Sequence, residues 1–400
     1  MAPSAMRGVG PLLSVIVLNY NGSRIMDVMR ECVDSLRTMG YEDYELIFVD
    51  NGSSDGSYEA MSRYLEGAGL RRYSVVEAGR NLGFTGGNNL GFANRGRGSE
   101  FTLLLNNDAV LLPGSVGALM RRMLSDPGVG ALNGMILDYR SGELSGVPSF
   151  LDELYGVVAP IQFKPEGTLI EVEETYPMGA AALLRNDAVI EANGGRERIF
   201  DEEIFIYFDD TTLGLKLWNS GWRVLFHPAP LARHLGGGSS TGEFWAYHSL
   251  RGRAMMSVAA PTRYRRLAGL YLRRNYLWAR RRFPRSKYDF RKAIDEGYEV
   301  GGILRDRYHL DLYRAPVVRL TMREALSKVL LSAGRVGRRK SEALSNLVRG
   351  DTVVASSLLT GGERKDPYPQ PRTRAPSPFL RNDSLYLSQY RRNSGRRNSA

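Results

Sequence analysis

Three short polar segments each follow an apolar run that reads as a strand. Asn19, Tyr20, Asn21 and Gly22 follow "LLSVIVL", "DNGSSDGS" from Asp50 follows "LIFV", and Asn106, Asn107 and Asp108 follow "FTLLL". Side chains of these types offer two kinds of chemistry. A carboxylate such as Asp108, released at the end of a buried strand, can hold a hard divalent cation through oxygen. Asp50 can accept hydrogen bonds from a ribose or a base edge. A plainer explanation exists for both, because Asn and Asp end strands by bonding their own backbone. Asp50 would then only cap the turn "NGSSDG". The explanations part on whether the three segments meet.

The elements that must position them are legible in the apolar pattern. Strand-like runs at 12–18, 45–49, 73–76 and 101–105 alternate with helix-like patterns at 24–39, 57–65 and 84–93. Such alternation implies parallel strands joined by right-handed crossovers. In a parallel sheet the carboxyl ends of the strands open on one crevice, so the three segments are expected to line a single polar pocket. Further on, Pro113 and Ser115 open a helix, 129–137 reads as a strand, and 138–176 is acidic and irregular. A small-residue strand and short helix then end at Gly194 and Gly195. Leu213, Leu217 and Trp218 follow helical spacing and 222–226 strand spacing. No G-x-G-x-x-G follows the first strand, which argues against a dinucleotide fold, and "GFTGGNNLG" comes too late in the chain. The Gly-rich, basic loop that a nucleotidyltransferase needs there is missing too.

The chain of 400 residues, 43% hydrophobic and 24% charged, has the composition of a soluble globular protein with one large core and an appendage. Its single cysteine, Cys32, allows no internal disulfide and suits a reducing compartment; in its helical pattern it reads as a packed residue. The net charge of +11 hides an asymmetry. Residues 1–242 hold 20 Lys and Arg against 30 Asp and Glu, whereas residues 243–400 hold 34 against 13. No signal peptide is evident and no window reaches the roughly 20 apolar residues of a spanning helix, so at a membrane this protein would lie on the surface. Leu267, Leu270 and Trp278 sit among seven Arg in 265–282, and a second basic amphipathic stretch runs from 317 to 340. Two explanations stay open for this half: attachment to an anionic membrane, or a helical subdomain packed on the core. Nucleic acid is the weaker partner, since charge alone comes without a recognised binding module. The segment 351–400, rich in Pro, Ser, Arg and Asn, is expected to be disordered.

Six blocks in order, "SVIVLNYNG", "IFVDNGSSDGS", "NLGFTGGNNLGF", "LLLNNDAVLLPGSV", "GAAALLRNDAVI" and "FDEEIFIYFDDTTLGLKL", span roughly residues 12–240. Together they resemble the family 2 inverting glycosyltransferases of GT-A fold, especially the rhamnosyltransferase-like branch. The resemblance implies an α/β fold with a mostly parallel central sheet flanked by helices. Together with the change of composition near residue 243, it suggests a catalytic domain at 1–242, a basic amphipathic helical extension at 243–350 and a tail at 351–400. It also implies transfer of a sugar from a UDP- or dTDP-linked donor to a glycan or lipid-linked acceptor, assisted by Mg²⁺ or Mn²⁺. A cytoplasmic enzyme, peripheral on the inner face of the plasma membrane, fits that picture.

Residue by residue, Asn106, Asn107 and Asp108 match the family's Asp-x-Asp element, with Asp108 as the metal-binding carboxylate. Asn19 and Asp50 match positions that contact the nucleoside, with Asn21 in the same strand-end segment, and Asn81 with Gly83 matches a loop beside the nucleotide. Asp209 and Asp210 match an acidic pair whose second member is the catalytic base, and His234 matches a histidine near the metal and diphosphate. Plainer roles stand beside these. Asp209 and Asp210 would also cap a helix beginning near Thr211, and His234 would also serve as a structural histidine. The chain departs from the family at Asn106, which replaces the first carboxylate, at Thr212, where many relatives are acidic, and at Gly214, where relatives are bulkier. The last two bear on acceptor preference. Thr212 and the basic extension are what would suit the alternative function, a catalytically inactive nucleotide- or glycan-binding scaffold.

Overall fold

Leu13 to Val17 are buried without a break in β1 (Leu12–Asn19), the pattern of a strand covered on both faces by helices. α1 (Met26–Ser35) leads to β2 (Tyr44–Asp50), α2 (Ser57–Gly67) to β3 (Tyr73–Glu77), and α3 (Gly83–Ala93) to β4 (Ser99–Asn106). β1 pairs in parallel with β2 and with β4, and β2 with β3. This block is the parallel sheet expected from the alternation of runs. The computed structural model describes residues 10–146, 148–158, 170–236 and 241–331; the tail at 351–400 lies outside the described residues.

Beyond β4 the sheet becomes mixed. β5 (Ala109–Leu111), α4 (Ser115–Leu124), β6 (Val129–Asp138) and β7 (Leu144–Gly146) follow in order. β8 (Phe150–Leu151) and β9 (Val157–Val158) form a separate antiparallel pair. Then come β10 (Val172–Glu173), β11 (Ala181–Arg185), α5 (Asn186–Ala192), α6 (Asp209–Asn219) and β12 (Arg223–His234). The main sheet runs β10-β12-β6-β11-β4-β1-β2-β3, with β5 on β12 and β7 on β6. β11 is antiparallel to β4 and β6, whereas β12 is parallel to β6. β12 continues well past the expected 222–226, through Pro228 and Pro230, and its register shifts there. Those irregularities let a strand contain residues without a free N–H.

Four helices complete the described part: α7 (Gly242–Ala259), α8 (Arg265–Arg282), α9 (Phe290–Tyr308) and α10 (Met322–Leu331). They are not a separate layer. Met255 and Met256 of α7, Tyr271 of α8 and Leu304 of α9 belong to the same apolar cluster as Ile16 of β1 and Leu213 of α6. Gly297 and Gly301 set α9 against bare backbone of α7: a Cβ at 297 would strike the Arg251 carbonyl, and one at 301 the Met255 carbonyl. A buried knot of charge adds to this join. Asp201 accepts hydrogen bonds from Lys216 of α6 at 2.7 Å and from Arg307 and Tyr308 of α9 at 2.6 and 2.7 Å. Packing on the core, one of the two explanations for the basic half, is therefore present. The stretch expected at 317–340 is helical only from Met322 among the described residues. Val318 instead bridges to Asp152, and Met322, Leu326 and Leu330 face outward.

Candidate active site

Strand register brings the predicted residues together. Asn19 lies opposite Asp50, and Leu18 opposite Asn106, so three strand ends meet on one edge. Asn19 Nδ2 donates to Asp50 Oδ1 at 2.9 Å and to Ser57 Oγ at 3.0 Å, while Asn107 Nδ2 donates to Asn19 Oδ1 at 3.2 Å. The other Asp50 oxygen accepts the N–H groups of Gly52 and Ser53 at 3.1 and 2.8 Å. Asp50 does cap its turn, and the cap also fixes its carboxylate at the pocket floor. Asn51, which the sequence reading passed over, joins the next loop: its Nδ2 donates to Asn81 Oδ1 and to the Gly83 carbonyl, both at 3.1 Å. Asn81 in turn accepts the Gly83 N–H at 2.8 Å. Asn21 stands at the exposed rim with φ 51°, its Oδ1 accepting the Ser54 N–H at 2.9 Å. Asn51, Ser53 and Ser57 all lie in "DNGSSDGS"; turn composition was the only signal for them.

Asp108 and His234 are paired by main-chain geometry. β5 and β12 run antiparallel with His234 opposite Ala109, and the Leu235 N–H donates to the Asp108 carbonyl at 3.0 Å. His234 Nε2 then lies 3.0 Å from Asp108 Oδ1 and 3.4 Å from Asn106 Nδ2. Behind them the buried Cys32 reaches the Asn106 carbonyl at 3.6 Å. Burial, and then the charge of Asp108, push that thiol far up, so it is an inert packed residue. Among the described residues no cluster of three or more His, Cys, Asp or Glu offers a closed metal cage. The Asp108 carboxylate oxygen suits a hard divalent cation whose remaining ligands are phosphate oxygens and water, and the His234 imidazole beside it is a softer donor, better matched to Mn²⁺ than to Mg²⁺. The pair fits Mg²⁺ or Mn²⁺ on those terms.

Asp209 and Asp210 open α6 after an unusual approach. Phe205, Tyr207 and Phe208 have φ of 70°, 61° and 63°, a conformation that costs bulky residues about 1–3 kcal/mol each. Arg251 of α7 secures the entrance to this loop by donating to the carbonyls of Glu203 and Ile204, each at 2.6 Å. The Phe205 carbonyl accepts the Thr85 N–H at 3.2 Å, which ties the loop to α3. Asp209 is buried and Asp210 half-buried. Burial raises the pKa of both carboxyls; the charge of Asp210 pushes Asp209 higher still, while the backbone N–H groups of Thr211 and Gly179 oppose the rise at Asp210. The next residue after Gly179 closes the circuit, because the Ala180 carbonyl accepts the Asn106 N–H at 3.0 Å.

The two departures near α6 have packing explanations. Thr212 donates its hydroxyl to the Phe208 carbonyl at 2.6 Å and is buried against Met256. Gly214 lies under the segment at 175–176, where any Cβ would strike the Thr175 carbonyl and Tyr176. A further group had no signal in the sequence. His248 of α7 stacks on Phe205 at 5.7 Å and packs against Phe244 at 4.4 Å, its Nδ1 buried with no partner among the described residues. Burial, then the charge of Arg251, lower its pKa to about 4, so the ring is neutral at ordinary pH.

The mixed sheet and its flanking helices have the GT-A nucleotide-diphospho-sugar transferase fold. The fold is similar to the crystal structure of GalNAc-T7 with UDP, GalNAc and Mn²⁺, with a TM-score of 0.53 and 14% identity, over 76% of this chain and 56% of that one. Residues 14–189 match the family Glycosyl transferase family 2. It is 27% identical over 216 residues to N-acetylglucosaminyl-diphospho-decaprenol L-rhamnosyltransferase of Mycobacterium tuberculosis (strain CDC 1551 / Oshkosh), covering 47% of this chain and 66% of that protein. It is 29% identical over 233 residues to the uncharacterized protein y4gI of Sinorhizobium fredii, covering 56% of this chain but 24% of that one. The chain thus spans about a quarter and about two thirds of the length of these curated relatives. Among the described residues no helix is long and apolar enough to cross a membrane.

Proposed function

We propose that this protein transfers a sugar with inversion from a UDP- or dTDP-linked donor to a glycan or lipid-linked acceptor. The nucleoside lies over Asn19, Asp50 and Asn81, with Asn21, Gly83 and Asn107 at its edges. Asp210 takes the proton from the acceptor hydroxyl as that oxygen bonds to the anomeric carbon, and the carbon–diphosphate bond breaks on the opposite face. Asp209, held neutral behind it, keeps the second charge off the site. Asp108 and His234, with Asn106 beside them, would hold Mg²⁺ or Mn²⁺, which when bound offsets the charge gathering on the diphosphate. In this reading residues 1–242 carry the chemistry and 243–350 support it, at the cytoplasmic face of a membrane where a lipid-linked acceptor is met.

The observation that supports the reading is the hydrogen bond from the Asn106 N–H to the Ala180 carbonyl at 3.0 Å, which sets the strand end before Asp108 against the start of β11. β4, which leads to Asp108, and β11 are neighbours in the sheet, in keeping with this reading. The test is a screen of nucleotide sugars for nucleoside diphosphate release with membrane lipids as acceptor, on wild type and Asp210→Asn. The substitution is expected to lower turnover by about 10²–10⁴-fold with nucleotide affinity unchanged; full turnover in the variant removes the base assignment.

A further inference from the structure

α8 has two faces of different chemistry. Ala268, Tyr271, Leu272 and Ala279 point into the protein, which accounts for its fold. On the other side Arg266, Leu270, Arg273, Leu277 and Arg281 follow one another at helical spacing, all exposed. Leu270 is 50% exposed, Leu277 40% and Trp278 38%, with Trp245 of α7 44% exposed next to them. The two tryptophans meet edge to face at 6.4 Å. Scattered exposed apolar residues need no explanation, but a contiguous set marks a binding surface. Arg274 extends it by donating to the Val329 carbonyl of α10 at 2.6 Å, beside outward-facing Leu326 and Leu330.

The charge on this face selects its occupant. α8 carries seven Arg and no acidic residue. The remainder of the chain is a poor match, since residues 332–400 hold 14 Lys and Arg against 5 Asp and Glu. A second copy would present the same cationic stripe. A polynucleotide would satisfy the arginines and stack on the tryptophans but leave Leu270 and Leu277 in water. An anionic bilayer satisfies both, with phosphates for the guanidinium groups and hydrocarbon for the apolar side chains.

We propose that the outer stripe of α8, together with Trp245, docks on anionic lipid headgroups with Leu270, Leu277 and Trp278 sunk to the edge of the hydrocarbon. This gives the membrane of the preceding reading a defined contact surface, and it rests on that reading only for its purpose. The measurement needs neither donor nor acceptor, so its failure leaves the transferase assignment standing. Full-length protein is sedimented with phosphatidylcholine vesicles, with and without phosphatidylglycerol. Binding is expected only with phosphatidylglycerol, falling as salt rises. Leu277→Ser/Trp278→Ser and Arg273→Glu/Arg281→Glu should each weaken it by about tenfold or more while circular dichroism and melting stay at wild-type values. The proposal is overturned if both double variants bind as wild type does, which would place lipid binding elsewhere in the chain. It is equally overturned if the wild type ignores vesicles and instead binds single-stranded RNA, or forms a dimer that Trp278→Ser abolishes.

Discussion

Burial, and then the charge of Asp210, raise the pKa of Asp209, and this has a thermodynamic signature. A carboxyl whose pKa rises on folding favours the native state fully below its unfolded value of about 4, and that advantage is lost as pH climbs through the raised folded value. Wild-type melting temperature should therefore fall between mildly acidic and neutral pH. In Asp209→Asn, which imitates the neutral form, that fall should be shallower; identical slopes would mean that Asp209 ionises freely. Asp210 has its pKa raised in the same direction, so the acid limb of turnover should lie above the ordinary carboxylate range. On the other side of the cleft, Asp108→Ala is expected to abolish the gain in nucleotide affinity that Mn²⁺ confers, and a chelator should reproduce the loss in the wild type. Calorimetric titration with and without the metal measures both.

At the scale of elements, close approach decides where substitutions are tolerated. Gly214→Ala forces a Cβ from α6 into the Thr175 carbonyl, an overpacking expected to cost about 1–3 kcal/mol in urea unfolding. Gly302→Ala, on an open face of α9, should be neutral or slightly stabilising. The strands of the nucleotide side were legible because a strand covered on both faces must be apolar throughout, so Asn19, Asp50 and Asn106 stand out where β1, β2 and β4 end. β12 was cut short at Phe226 because Pro228 and Pro230 read as breakers, and only its register shifts explain how the strand continues to His234. The left-handed loop before Asp209 had no herald, since Phe and Tyr do not announce that conformation. α9 was missed for a related reason: Gly297 and Gly301 look like interruptions in a sequence, although in the fold they are the notch that admits α7. On α8 a packing face was legible but misplaced: of Leu267, Leu270 and Trp278, the last two are exposed, and Ala268, Tyr271, Leu272 and Ala279 point inward instead.

For the whole molecule, the acidic and basic parts of the sequence are one folded body across residue 242. Met255, Ala260, Tyr271 and Leu304 share a core with β1 and α6, and Asp201 binds Lys216 and Arg307 from either side of that residue. A chain cut after Gly242 should lack a cooperative thermal transition and should bind a hydrophobic dye, because it strips away the α7, α8 and α9 side of that core and leaves Asp201 without the Arg307 guanidinium. A sharp transition in the truncated chain would make the helices dispensable. The glycine seam between α7 and α9 also has a practical corollary for engineering. Where two backbones touch there is no slot for a new side chain, so this joint offers no foothold for mutagenesis. The outer surface of α8 carries no such constraint, and its exposed positions can be rewritten while the packed side of the helix is kept.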